Sequence, residues 1–222
     1  IYDRVYIEER SNMYIKDIFV RPDIDNNNIE VWVDIFSSKK GLVQDFSLSI
    51  SVYGRNMDGD EKVSVTYEVP YAGPGMNYYR YTIPFTDFRL WEPQCPWLYT
   101  ARVSIIIDGK TVDVKDRNFG MRKFHSDETN EPKGTLYLNN RPIILRGANE
   151  MGHLQQCIMQ GDFEHLIDDI LIAKLANMNF YRITQRPVQE EIYDYFDMLG
   201  MMHQCDFPLF GTLRRNQYYE AI

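Results

Sequence analysis

Nothing in the 222 residues approaches the roughly 18 consecutive apolar residues that a membrane-crossing helix needs. Basic residues are also in the minority. Twenty-four Lys and Arg stand against 32 Asp and Glu, for a net charge of -8. That balance excludes nucleic acid and an anionic membrane as expected partners. Cysteine is scarce: Cys95, Cys157 and Cys205 are widely spaced, form no Cys-x-x-Cys pair, and read as small packing residues. His153 and Cys157 stand four apart, a helical ligand spacing, but a third ligand is missing, so no metal site is expected. The residues present require no cofactor. No targeting segment opens the chain, and its first residue is Ile1 rather than Met, so an upstream part is expected.

What is present is aromatic and strand-like. Aromatics make up 14% of the chain, with 16 Tyr, and aromatic side chains suit a half-buried pleated surface. Ile29-Glu30-Val31-Trp32-Val33-Asp34-Ile35 alternates apolar and polar with period two, as do Phe46 to Val52 and Val63 to Val69. Met13 to Val20, Tyr78 to Ile83, Tyr99 to Ile107 and Thr111 to Val114 add further strands. Arg21-Pro22-Asp23 is expected to end the first of these, and Asp108-Gly109 is a hairpin signal. Seven or so short strands predict an all-β sandwich over residues 1–125.

The pattern changes after that. Residues 126–135 are polar and read as a linker. Leu136-Tyr137-Leu138, Asn139-Asn140 and Arg141 to Arg146 predict a hairpin, because Asn tolerates the positive φ of a tight turn. Strands then alternate with helices: Ile143 to Gly147, a helix capped by Asp162, Asn179 to Ile183, a helix with Pro187 in its first turn, and Met201 to Phe207. The second helix should bury Ile192, Tyr195, Phe196 and Leu199 and end at Gly200. This is the order of a parallel sheet with crossover helices, over residues 136–222.

Four segments in order carry a resemblance. They are Leu90-Trp91-Glu92-Pro93-Gln94-Cys95-Pro96-Trp97-Leu98-Tyr99; Phe119-Gly120-Met121-Arg122; Leu145-Arg146-Gly147-Ala148-Asn149; and Asn179, Arg182, Thr184 and Pro187 with Ile192, Tyr193, Asp197 and Gly200. Together they resemble glycoside hydrolase family 2. The resemblance implies an immunoglobulin-like β-sandwich, followed by the first three βα units of a (β/α)8 TIM barrel. It further suggests that residues 1–8 are the last strand of a preceding jelly-roll domain. Gln185-Arg186 and Glu150 depart from the family pattern, which leaves the sugar open.

The implied activity is that of a retaining exo-β-glycosidase acting on a terminal β-linked sugar. Such enzymes use two carboxyl groups about 5–5.5 Å apart. In the family both are glutamates at the ends of barrel strands four and seven, so no catalytic residue is assigned within these 222 residues and the chain alone is expected to be inactive. Glu150 follows an asparagine, as the family's acid/base does, but lies on strand one. Asp168-Asp169 and Glu190-Glu191 fall on helices and read as solvated faces. Candidate sugar-binding residues are Asn149 at the end of strand one, Arg182 and Thr184 at the end of strand two, Asp206 at the end of strand three, and Gln185 and His153, since barrel sites gather at the C-terminal strand ends. The expected partner is a β-glycoside, and open sheet edges leave room for a homo-oligomer. The rival reading is a noncatalytic carbohydrate- or protein-binding sandwich module.

Overall fold

The computed structural model describes residues 7–38 and 43–207. The expectation for a jelly-roll strand at 1–8 falls mostly outside the described residues; Ile7 and Glu8 are exposed and in no strand. The barrel expectation beyond residue 207 also lies outside them. The chain divides into two units, residues 7–91 with 97–142, and residues 92–96 with 143–207.

Up to residue 119 the strands are β1 (Met13–Asp23), β2 (Asn28–Ser37), β3 (Val43–Gly54), β4 (Glu61–Ala72), β5 (Gly75–Pro84), the two-residue β6 (Trp91–Glu92) and β7 (Cys95–Pro96), β8 (Tyr99–Ile107) and β9 (Lys110–Phe119), of which β1–β5, β8 and β9 lie wholly in the first unit. Those seven form a three-stranded sheet in the order β1-β2-β5 and a four-stranded sheet in the order β4-β3-β8-β9. Pairing within both is antiparallel. The period-two pattern dictates the core. Ile29, Val31, Val33 and Ile35 of β2, and Phe46, Leu48, Ile50 and Val52 of β3, are all fully buried. They pack with Ala101, Val103 and Ile105 of β8 into one cluster between the sheets. Burying each such side chain contributes roughly 1.5–3 kcal/mol.

Arg21-Pro22-Asp23 does not break the first strand. Pro22 stands opposite Ile29 on β1, an edge strand, where a residue without an N–H is tolerated. Asp108 and Gly109 have φ of 51° and 72°, which a two-residue turn with both central residues left-handed requires.

The stretch read as a linker is a folded arm. Strand β10 (Phe124–Asp127) pairs antiparallel with β11 (Thr135–Leu138), which pairs with β12 (Arg141–Pro142). Its polar residues are turn-makers: Asp127 accepts hydrogen bonds from Asn130 Nδ2 and from the backbone of Thr129 and Asn130. Those bonds, first that of the Asn130 side chain, hold its carboxyl well below the usual range. Asn139 and Asn140 have φ of 52° and 63°, as a tight turn demands.

The second unit contains β13 (Gly147–Glu150), α1 (His153–Gln160), α2 (Phe163–Leu175), β14 (Phe180–Ile183), α3 (Glu190–Leu199) and β15 (Met202–Cys205). The sheet order is β13-β14-β15, all parallel. Leu166, Ile170, Ile183, Ile192 and Phe196 are buried at its core. Three details differ from the sequence reading. The first strand starts at Gly147 rather than Ile143. Helix α1 intervenes before α2. Pro187 lies before α3, whose N-cap is Gln189 in an extended conformation. Asp162 caps α2 as expected, accepting from His165 N at 3.1 Å, and Gly200 ends α3 with φ 73°.

Candidate sugar-binding site at the strand ends

Two backbone constraints position the site. A Cβ at Gly147 would lie 1.8 Å from Phe180 O, so only glycine lets β13 approach β14. Next to it, buried Asn179 clasps the start of both strands. Its Oδ1 accepts from Arg146 N at 2.8 Å and its Nδ2 donates to Ile144 O at 3.0 Å. These two residues fix the parallel register.

That register sets Asn149 opposite Arg182, and Arg182 opposite Gln204. Neighbours in register share a face of the sheet, so three polar side chains form one row across three strands. Ile183, one residue on, points the other way and is 1% exposed in the helix-side core.

Arg182 then reaches Asp206 with both ends of its guanidinium, Nε to Oδ1 at 3.1 Å and Nη2 to Oδ2 at 2.7 Å. The Arg182 hydrogen bond holds the Asp206 carboxyl below the usual carboxylate range, helped by the Gln185 backbone N–H. Gln185 has φ 70°. This left-handed conformation is uncommon for a residue with a side chain, and Gln185 N donates to Asp206 Oδ2 at 3.2 Å. Thr184 Oγ1 donates to Glu150 O at 2.7 Å, tying the loop after β14 to the end of β13. Asn149, Arg182, Thr184, Gln185 and Asp206 line a single cavity of about 590 Å³ at the C-terminal strand ends.

Five of the six residues singled out from the sequence therefore share one cavity. His153 does not. As the first residue of α1 it directs its ring to α2, where Nε2 lies 2.6 Å from Asp169 Oδ2. It lines a second cavity, of about 380 Å³. Sequence reasoning missed Gln204, Met151 and Phe207 on the wall of the larger cavity. Gln204 was findable, since it stands two residues before Asp206 in the stretch read as the third strand, Met201 to Phe207, where alternate residues share a face. Met151 and Phe207 carry no comparable signal.

Glu150 is 5% exposed. Its Oε1 accepts from Gly152 N at 2.7 Å and from Leu154 N at 3.0 Å. It caps the start of α1, where a helix leaves N–H groups unpaired. Cys95 is exposed rather than packed, Cys157 is buried and Cys205 is half-buried on the cavity wall. His203 packs against Tyr193 and Phe196.

The sandwich motifs have physical reasons of their own. Trp91 is fully buried, and Trp91 N donates to Met121 O at 2.9 Å. A Cβ at Gly120 would lie 2.8 Å from Trp91 Cβ, and the Arg122 guanidinium sits 4.7 Å from the Trp91 ring centre. Trp91 of the first motif and Gly120 to Arg122 of the second are thus one packing unit.

Two family descriptions match the chain in order: Glycosyl hydrolases family 2 over residues 13–122, and Glycosyl hydrolases family 2, TIM barrel domain, over residues 131–218. A β-galactosidase from Pseudoalteromonas haloplanktis is 27% identical over 218 residues, covering 90% of this chain and 19% of that protein. A β-glucuronidase from Streptococcus agalactiae is 31% identical over 133 residues, 58% of this chain and 21% of that protein. A solved glycosyl hydrolase family 2 member from Bacteroides cellulosilyticus matches with a TM-score of 0.76 at 16% identity, over 89% of this chain and 27% of its own. At that identity the likeness is one of fold. The chain spans about a fifth of the length of the curated relatives it matches. With both family descriptions satisfied in order along the sandwich and the parallel sheet, the chain belongs to glycosyl hydrolases family 2.

Proposed function

We propose that the protein carrying this chain is a retaining exo-β-glycosidase, and that this chain supplies part of the floor of its sugar site but neither catalytic carboxylate. The observation that carries the reading is the row Asn149, Arg182, Gln204 beside the Arg182–Asp206 fork, at the C-terminal ends of parallel strands. In a barrel that is the end where substrate binds. A fixed guanidinium fork and a carboxylate suit sugar hydroxyls, or a catalytic carboxylate brought from another strand. β13 and β15 are both edges of the three-stranded sheet. An eight-stranded barrel covers both edges, which supports reading the sheet as the first three βα units of one. The three-on-four antiparallel sandwich supports the immunoglobulin-like reading of the first unit.

The substrate class follows from relatives named β-galactosidase and β-glucuronidase. No acidic pair among the described residues of this cavity has the make-up of a retaining pair: Asp206 is held by Arg182, and Glu150 is turned into the start of α1. This supports taking the catalytic acid/base and nucleophile from later strands, as the family resemblance implies. The test is hydrolysis of an aryl β-glycoside panel by the full-length protein, with the first-formed anomer read by NMR. A β-anomer product is expected. An α-anomer first, or no turnover of any glycoside, contradicts the proposal.

A further inference from the structure

Helix α2 carries His165 and Asp169 four residues apart, so they share one face. His153, the first residue of α1, comes to that face from the neighbouring helix. Asp169 Oδ2 lies 2.6 Å from His153 Nε2 and 3.5 Å from His165 Nε2. One ligand atom from each of the three residues falls within 4.8 Å of the others. The two imidazoles stand 5.6 Å apart at 77° to each other, so their edges converge on the carboxylate rather than stacking.

We propose that His153, His165 and Asp169 form a binding site for a divalent transition-metal ion of the zinc class, joining α1 to α2. Zinc takes imidazole nitrogen and carboxylate oxygen at about 2.0–2.2 Å in a tetrahedron, which sets its ligand atoms roughly 3.3–3.6 Å apart. The His165–Asp169 separation already has that value. The His153 ring has room to withdraw from Asp169, because its side chain is 61% exposed. Water completes the tetrahedron.

A further carboxylate supports the assignment. Asp162 Oδ2 lies 3.8 Å from His165 Nδ1, the ring nitrogen opposite the proposed metal-binding one. At that distance there is no hydrogen bond, but the negative charge on that side favours a proton on Nδ1, the tautomer that leaves Nε2 free to bind. Asp162 is itself held in place by capping α2. Cys157, which the sequence pairs with His153, is not a ligand. It is buried against Leu166 and Ile170, and burial, first among its influences, pushes its thiol up and away from the thiolate a metal needs.

The ion is a clip rather than a catalyst. His153 and Asp169 line the 380 Å³ cavity, and neither lines the cavity that holds the Arg182–Asp206 pair. Bound metal fixes α1 against α2 across the short turn at Gly161.

The experiment titrates zinc chloride into chelator-treated full-length protein by calorimetry, and cobalt(II) chloride with visible spectroscopy as a second probe. The unaltered protein and the His153→Gln, His165→Gln and Asp169→Asn variants are compared, each checked for folding by circular dichroism. The expected result is one equivalent of zinc, with tetrahedral cobalt bands, that weakens at least about tenfold in each variant, since even an outer-shell partner is worth that much. It is reversed by chelator and accompanied by a higher Tm in the unaltered protein only. Absence of saturable binding overturns the proposal. So does binding of unchanged stoichiometry and affinity in the folded His165→Gln variant, which places the metal elsewhere.

Discussion

Arg182 and Asp206, 24 residues apart in sequence, meet through two parallel hydrogen bonds of 3.1 and 2.7 Å across the ends of adjacent strands. A lysine offers one point charge in place of this fork. In the full-length protein, Arg182→Lys is expected to lower kcat/KM at least about 100-fold, because small misplacements at a reacting centre cost that much. The thermal midpoint should move little, since the pair is partly solvated and exposed ion pairs contribute little to stability. Steady-state kinetics beside thermal denaturation separates the two effects. A large loss of Tm with unchanged kcat/KM makes the pair a structural tie.

The same pair sets a pH dependence. Arg182, and then the Gln185 N–H, stabilise ionised Asp206 and lower its folded pKa. A lowered folded pKa means the contribution is complete above the unfolded value, about 3.9 for Asp. It is lost as pH falls through the folded value. Carbon-13 NMR of the Asp206 carboxyl should show a midpoint below that of a free aspartate. In Arg182→Ala the midpoint should return toward the ordinary value.

Glycine at 147 is a steric requirement. Gly147→Ala puts a methyl group 1.8 Å from Phe180 O, and a backbone atom cannot step aside. The expected cost exceeds about 3 kcal/mol, above the usual range for overpacking, and is measured by denaturant unfolding. Gly120→Ala meets the Trp91 side chain at 2.8 Å and is expected to cost about 1–3 kcal/mol.

Much of the sandwich was legible because β2, β3 and β8 each bury one face, which writes period two into the sequence. The pairing of 124–127 onto the hairpin of β11 and β12 was not, since Asp127, Thr129 and Asn130 make a turn through side-chain hydrogen bonds that polar composition alone does not separate from a linker. The strand-end residues were legible as positions along parallel strands. The His153 placement was not, because helix α1 starts at that residue and its orientation depends on a partner 16 residues away on α2.

Asn179 makes a third structural prediction. Asn179→Ala leaves Arg146 N–H and Ile144 C=O without their side-chain partner in a partly buried setting. The expected loss is about 2–3 kcal/mol, with hydrogen exchange rising at the strand starts of the second unit.

Glu150 separates a capping role from a chemical one. Glu150→Ala is expected to cost about 1 kcal/mol of stability through the lost cap of α1. Glu150→Gln keeps an oxygen for Gly152 N and Leu154 N. In the full-length protein it should retain kcat within about tenfold, far short of the loss expected when a group that acts in proton transfer is removed.

The most direct test is hydrolysis of aryl β-glycosides by the 222-residue chain beside a version extended through eight barrel strands. The account predicts turnover by the extended protein alone, abolished when a glutamate of a later strand is replaced. Turnover by the 222-residue chain itself would contradict it, and would make Glu150 the first residue to replace.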